Sequence, residues 1–132
     1  MDAKQFVTQI FERWQQGDSQ PFFDALAPNV IWTAKGSTPI SGTVRGKADY
    51  LAKIYNPLLS IFSGPTKCEI VRILAEDNIV VVEWRGETPT TLGSAYTNEY
   101  CWVILVSPDA TSILEVVGYF DTARVDQLFF RK

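Results

Sequence analysis

The half of the chain after Pro65 has little freedom in how it folds. Four segments rich in Val, Ile, Tyr and Trp follow one another there, at residues 67–75, 79–88, 95–106 and 112–120. Branched and aromatic side chains of this kind favour the pleated backbone. The links between them are short and polar: Glu76-Asp77-Asn78, then Pro89-Thr90-Thr91 with Gly93 nearby, then Ser107-Pro108-Asp109. Such links are too short for a crossover, so the four strands are expected to pair in sequence as an antiparallel meander.

The first half reads differently. Phe6, Val7, Ile10, Phe11 and Trp14 share one face of a helix, with Lys4, Glu12 and Arg13 off it. Gly17 stops that helix, and Asp18 or Ser19 is placed to cap a second one through Phe22, Phe23 and Leu26, with Pro21 in its first turn and Pro28 ending it. Residues 30–34 then form a strand, 36–42 a loop and 43–45 a short edge strand. A helix over 47–62 buries Tyr50, Leu51, Ile54, Leu58 and Ile61, and Pro57 should kink or divide it. Residues 122–130 form a terminal helix with Val125, Leu128 and Phe129 inward. Helices first and a meander last define an α+β fold, and with no repeat or linker the 132 residues form one domain, 1–132.

Composition removes several functions. The net charge is −3 and the basic residues are scattered, so no basic stripe is available for nucleic acid. No apolar run reaches the roughly 20 residues that cross a bilayer, so no membrane partner is expected. The start, MDAKQF, lacks the pattern of a secretory signal, which makes a cytoplasmic location the expectation. Cys68 and Cys101 have no metal-ligand spacing and read as free, buried thiols, a disulfide being the lesser alternative. The chain has no histidine at all. Triads built on an imidazole and histidine-rich zinc sites are therefore excluded, no metal or other cofactor is expected, and any proton transfer falls to a carboxylate, a tyrosine or water.

Turn positions give a register. Centring the turns on Asp77-Asn78, Thr90-Thr91 and Pro108-Asp109 aligns Arg72, Glu83, Asn98 and Tyr119 in one row. The next row holds Ile70, Arg85, Tyr96 and Asp121, with Tyr100 beside Val117 on the other side. All of these share one face, while Val80, Val82, Trp84, Cys101, Val103, Val116, Gly118 and Phe120 occupy the other. Charged and amide groups under helices must bond one another or a ligand. The polar row is therefore either one wall of a pocket or a solvated sheet face. In the first reading Asp121, with a pKa raised by an apolar wall, is the proton carrier; in the second it pairs with Arg85 or caps the segment starting at Thr122. Tyr96, Tyr100 and Tyr119 either donate to a carbonyl or fill space. Asn98 orients Glu83 or Asp121, Arg72 pairs with Glu83, and Trp32 lines the cavity or packs in the core.

The run Gly93-Ser-Ala-Tyr96-Thr-Asn98-Glu-Tyr100-Cys-Trp102, followed by Tyr119-Phe-Asp121-Thr122, resembles the ketosteroid isomerase-related, SnoaL-like branch of the nuclear transport factor two-like superfamily. That resemblance implies helices packed in a strongly curved, mostly antiparallel sheet, a cone-shaped, cystatin-like α+β barrel with an apolar cavity at its open end. It also implies a homodimer through the outer face of the sheet. Members include isomerases, cyclases, epoxide hydrolases and dehydratases as well as proteins that only bind, so fold does not select the chemistry. The expected function is a cofactor-independent isomerase, cyclase or hydrolase acting on a small apolar molecule. Its catalytic set would be Asp121, Tyr119 and Asn98, with Trp32, Tyr96, Tyr100, Glu83, Arg85 and Arg72 binding substrate. The alternative is a carrier for a small apolar ligand.

Overall fold

The computed structural model describes residues 1–129. Helix α1 (Ala3–Gln15) opens with a capping box, in which Asp2 accepts from the Gln5 N–H and Gln5 reaches back to the Asp2 N–H. It buries Ala3, Val7, Ile10, Phe11 and Trp14, nearly the face that the spacing defines. Helix α2 (Gln20–Ala25) carries Pro21 in its first turn and buries Phe22, Phe23 and Ala25. The backbone turns extended at Leu26, so Leu26 and Pro28 belong to strand β1 (Leu26–Ala34) rather than to the helix. Strand β2 (Gly42–Arg45) follows on the sheet edge.

The expected helix over 47–62 is divided into three. Residues Lys47–Tyr50 form α3, Leu51–Tyr55 a π-helical turn and Asn56–Leu59 α4. Pro57 has no N–H, so the regular ladder cannot continue through it, and the widened turn just before it absorbs the mismatch. Strands β3 (Lys67–Glu76), β4 (Ile79–Thr88), β5 (Tyr96–Val106) and β6 (Ile113–Phe120) form the meander. Helix α5 (Thr122–Phe129) ends the description. Val125 is buried and Leu128 half-buried there, while Phe130 and the Phe129 side chain lie outside the described residues.

The sheet runs β2-β1-β6-β5-β4-β3. Every neighbouring pair is antiparallel except β1 with β6. The sheet is curved and unclosed, and α1 packs across β3 and β4. A bulge in β3 shifts its register between Ile70 and Arg72, and the Ile70 N–H there donates to Gln15 at the end of α1 (2.8 Å). Trp102 sits at the centre of the core, its ring 4.9 Å from Trp84, 5.0 Å from Trp32 and 5.4 Å from Phe22. Both cysteines are free thiols, Cys68 buried and Cys101 half-buried. No helix among the described residues is long and apolar enough to cross a membrane.

The meander register differs from the one that turn centres give. Glu83 faces Cys101, not Asn98, a slip of three residues on β5. Tyr119 also faces Cys101, so β6 slips by three again. An odd slip moves every side chain of a strand to the other face, and two odd slips restore the first assignment. So β4 and β6 keep their mutual faces while β5 inverts. The cause is loop length: β5 begins only at Tyr96 and β6 only at Ile113, so both turns are longer and centred later than their proline-containing starts imply.

Candidate functional site

One face of the sheet carries a cavity of about 620 Å³. Trp32, Trp84, Trp102, Phe23, Phe62 and Phe120 supply its apolar walls. Two of these walls are doubled by tyrosines: Tyr50 lies 4.2 Å from Trp32, tilted at 34°, and Tyr100 stacks 4.2 Å from Trp84 at 17°. Ile54, Tyr55 and Lys53 project from the π-helical turn, and Pro39, Ile40 and Ser41 border the opening beside β2. The β4–β5 loop is tied to the end of the long helical segment, since Ser63 N–H donates to Pro89 O (2.9 Å) and Thr91 N–H to Ile61 O (2.8 Å). That tie holds Phe62 alongside Tyr96, stacked at 6.2 Å.

Some of the polar groups in and behind the cavity form two small networks. Asn98, buried on β5, donates to the Tyr96 hydroxyl (2.8 Å), which lies 3.0 Å from the Tyr100 hydroxyl. Thr88, also buried, pairs with Thr66 at 2.7 Å. Burial raises the Tyr96 pKa, with the bonds from Tyr100 and Asn98 acting against it, and holds Tyr100 well above the ordinary phenol value. Burial raises Tyr50 and Tyr55 as well. These phenols are hydroxyl donors at neutral pH. The lining contains no carboxylate among the described residues.

The structure splits the expected site into two. Trp32, Tyr96 and Tyr100 line the cavity, and Asn98 braces Tyr96 from behind. Asp121, Tyr119, Glu83, Arg85 and Arg72 do not reach it, because they lie on the outer face with the inverted partners of β5. Arg72 bonds Glu83 at 3.2 Å, the ion pair that was expected, in solvent. Tyr119 is exposed. Arg85 lies between Glu69 (2.9 Å) and Glu99 (3.2 Å), which raise its already high pKa chiefly through hydrogen bonds. Asp121 has a side chain 57% exposed, 3.4 Å from Arg124, and its Oδ1 accepts from the Ala123 N–H at the start of α5. The apolar wall that would make it a proton carrier is not around it, and the capping alternative describes its surroundings. Asn98 touches Asp121 only through the backbone, donating to Asp121 O (3.0 Å) and accepting from Asp121 N–H (3.2 Å). A second depression, of about 690 Å³, is bordered by Arg85, Glu69, Glu99, Asp121 and Arg124. The charges there already face one another.

Turn-centred reading missed Trp84, Trp102 and Phe120 as lining residues, together with Thr66, Thr88 and the π-turn side chains. A signal for the first group was present. Charges at Glu83, Arg85 and Glu87 alternate with Trp84, and Thr97 and Glu99 alternate with Tyr96, Asn98 and Tyr100. That period of two sorts inward from outward residues on each strand without reference to any turn.

With this geometry in view, comparison with known proteins places the chain. Residues 7–113 match the model of the SnoaL-like domain, and the protein belongs to that family. No curated protein matches the sequence. Similar solved structures include an NTF2-like protein from Burkholderia thailandensis, with a TM-score of 0.75, 19% identity and 96% of each chain covered. TerC co-crystallised with polyporic acid has a TM-score of 0.70 at 16% identity, covering 94% of this chain and 95% of TerC. An LEH-like epoxide hydrolase of M. tuberculosis has a TM-score of 0.67 at 19% identity, covering 98% and 90%. At these identities the likeness is one of fold, and it supports the cone-shaped α+β architecture of the nuclear transport factor two-like superfamily.

Proposed function

We propose that the protein binds a small, apolar, ring-bearing molecule in the cavity and holds it without carboxylate acid–base chemistry. The observation that carries this reading is the composition of the lining: aromatic walls, with phenols, threonine and serine hydroxyls and the Lys53 amine as its polar side chains and no carboxylate among the described residues. A volume of about 620 Å³ suits a small organic ligand. Asp121, the carboxylate expected to move protons, and Glu83, expected to bind substrate, are engaged by Arg124 and Arg72 on the outer face. The carrier alternative raised by the sequence therefore has more support than the isomerase, cyclase or hydrolase reading.

Equilibrium dialysis with phenanthrene tests the proposal. Wild-type protein should bind it saturably, and Ile54→Trp, which fills the cavity from the π-helical turn, should weaken binding at least about tenfold while the protein stays folded. Equal binding by both proteins, or none by the wild type, would contradict it.

We also propose that a second copy of the chain covers the outer face. Leu74, Val81, Val103 and Val117 pair across four strands there as one apolar row, and Ile79 and Leu105 extend it while substantially exposed. Native mass measurement at micromolar concentration should give twice the chain mass; a monomer would remove the idea.

A further inference from the structure

Among the described residues that line the cavity, Lys53 is the one that carries a charge. It belongs to the π-helical turn, three residues after Tyr50 and four before Pro57, both of which also line the cavity. Ile54 and Leu58 complete that wall with apolar side chains. A wall of this kind calls for an apolar residue at position 53, and a lysine there gives up apolar area for a cation. The Lys53 side chain is 65% exposed although it lines the cavity, which places its amine at the mouth. A lysine can lay its methylene stem on an apolar wall and keep the amine in water. The opposite border of the opening, residues 39–44, carries no charge.

The amine is held loosely where it stands. Its partner is Asp49 at 3.4 Å, with a side chain 56% exposed, and Asp49 is outside the lining. Water and salt screen an exposed pair of this kind. The wider surroundings also favour an anion. Residues 34–66, which build the mouth and the helical wall, hold Lys35, Arg45, Lys47 and Lys53 against a single acid, Asp49. The whole chain has a net charge of −3, so this segment is positive within an acidic protein. Apolar walls behind a positive rim concentrate a field that draws small anions.

We propose that the cavity takes a ring-bearing carboxylate, with the rings against the aromatic walls and the carboxylate at the mouth, bonded by the Lys53 amine. The inference rests on the binding reading above and deepens it by naming the ligand's charged group and where that group sits. A carboxylate at the mouth keeps much of its hydration and gains a charge-assisted hydrogen bond. Carried deeper, it would lose its water where the lining offers no cation to replace it. The charge therefore fixes which end of the ligand enters first. Asp49 competes with the ligand for the same amine.

The test compares phenanthrene-9-carboxylate with phenanthrene-9-carboxamide, which match in shape and differ in charge, by equilibrium dialysis at neutral pH and about 0.1 M salt. Charges more than about 10 Å apart are largely screened there, so a preference reads a close partner. The wild type should bind the carboxylate about three- to tenfold tighter than the carboxamide. The preference should disappear in Lys53→Gln and reverse in Lys53→Glu. In Asp49→Asn, where the competitor is gone, it should widen at least about twofold. Phenanthrene itself measures cavity binding. If it binds while the two derivatives bind alike, or if the preference survives in Lys53→Gln, the inference is overturned and cavity binding stands. If neither phenanthrene nor its derivatives bind, both fall. The wild-type comparison decides the matter even if a variant does not fold.

Discussion

Asn98 makes as many hydrogen bonds as a side-chain amide offers, and it makes them in the interior. The last backbone pair between β5 and β6 is Tyr100 with Phe120. Beyond it, the Asn98 amide bonds both the N–H and the carbonyl of Asp121, so a side chain carries the pairing on for one more residue and fixes the turn into α5. In the structure Asp121 contributes its backbone and its cap, and its carboxylate lies outside the aromatic cavity. Two substitutions separate these roles. Asn98→Ala should cost about 2–4 kcal/mol, because it strands several polar groups in a buried place. Asp121→Ala should cost about 0.5–2 kcal/mol, the value of a helix cap, and leave phenanthrene affinity unchanged. Urea unfolding and dialysis on the same samples check both. A loss of ligand affinity in Asp121→Ala with stability intact would return that carboxylate to the site.

At the level of elements, much of the architecture was legible in the sequence. The α1 face, the proline-divided helix and the four long strands follow from periodicity and from breakers whose physics is local. Two features were not legible. The parallel pairing of β1 with β6 joins strands far apart in sequence, where no turn speaks for it. The meander register failed because the loops 89–95 and 107–112 contain several turn-forming residues, and a register depends on which of them closes the turn. Ser107 shows the difficulty. Its hydroxyl donates to Asp109 (2.7 Å) and accepts from the N–H groups of Thr111 and Ser112, so the reversal centres near Ala110, a non-glycine residue at φ 55°. Alternation within each strand is the stronger guide, since burying Glu83, Arg85 and Glu99 costs more than any turn preference. That criterion alone would have placed Tyr96, Asn98, Tyr100 and Trp102 inside.

For the molecule as a whole, the buried phenols tie stability to alkaline pH. Tyr50, Tyr96 and Tyr100 have pKa values raised by burial above the ordinary value near 10, and burial pushes the Cys68 thiol up to about 12. Above the unfolded-state pKa values the unfolded chain releases protons that the folded chain keeps. The unfolded state then binds fewer protons, and stability falls as pH rises. The stability these groups contribute is fully present below about pH 8.5, where the unfolded thiol starts to ionise. Above about pH 10 it should fall by up to about 1.4 kcal/mol per pH unit for each buried phenol. Urea unfolding between pH 8 and 11 checks the sign and the slope. A profile flat to pH 11 would mean that these side chains are open to water.

The central claim is that the aromatic cavity, and not the charged outer face, receives the ligand. All four tryptophans of the chain, Trp14, Trp32, Trp84 and Trp102, line that cavity, so their indole N–H resonances report on it directly. Titrating ¹⁵N-labelled protein with phenanthrene should shift the Trp32, Trp84 and Trp102 indole signals saturably, while the backbone amides of Glu83, Arg85 and Glu99 stay in place. Unmoved indoles, or shifts concentrated at Glu83, Arg85 and Glu99, would contradict the account.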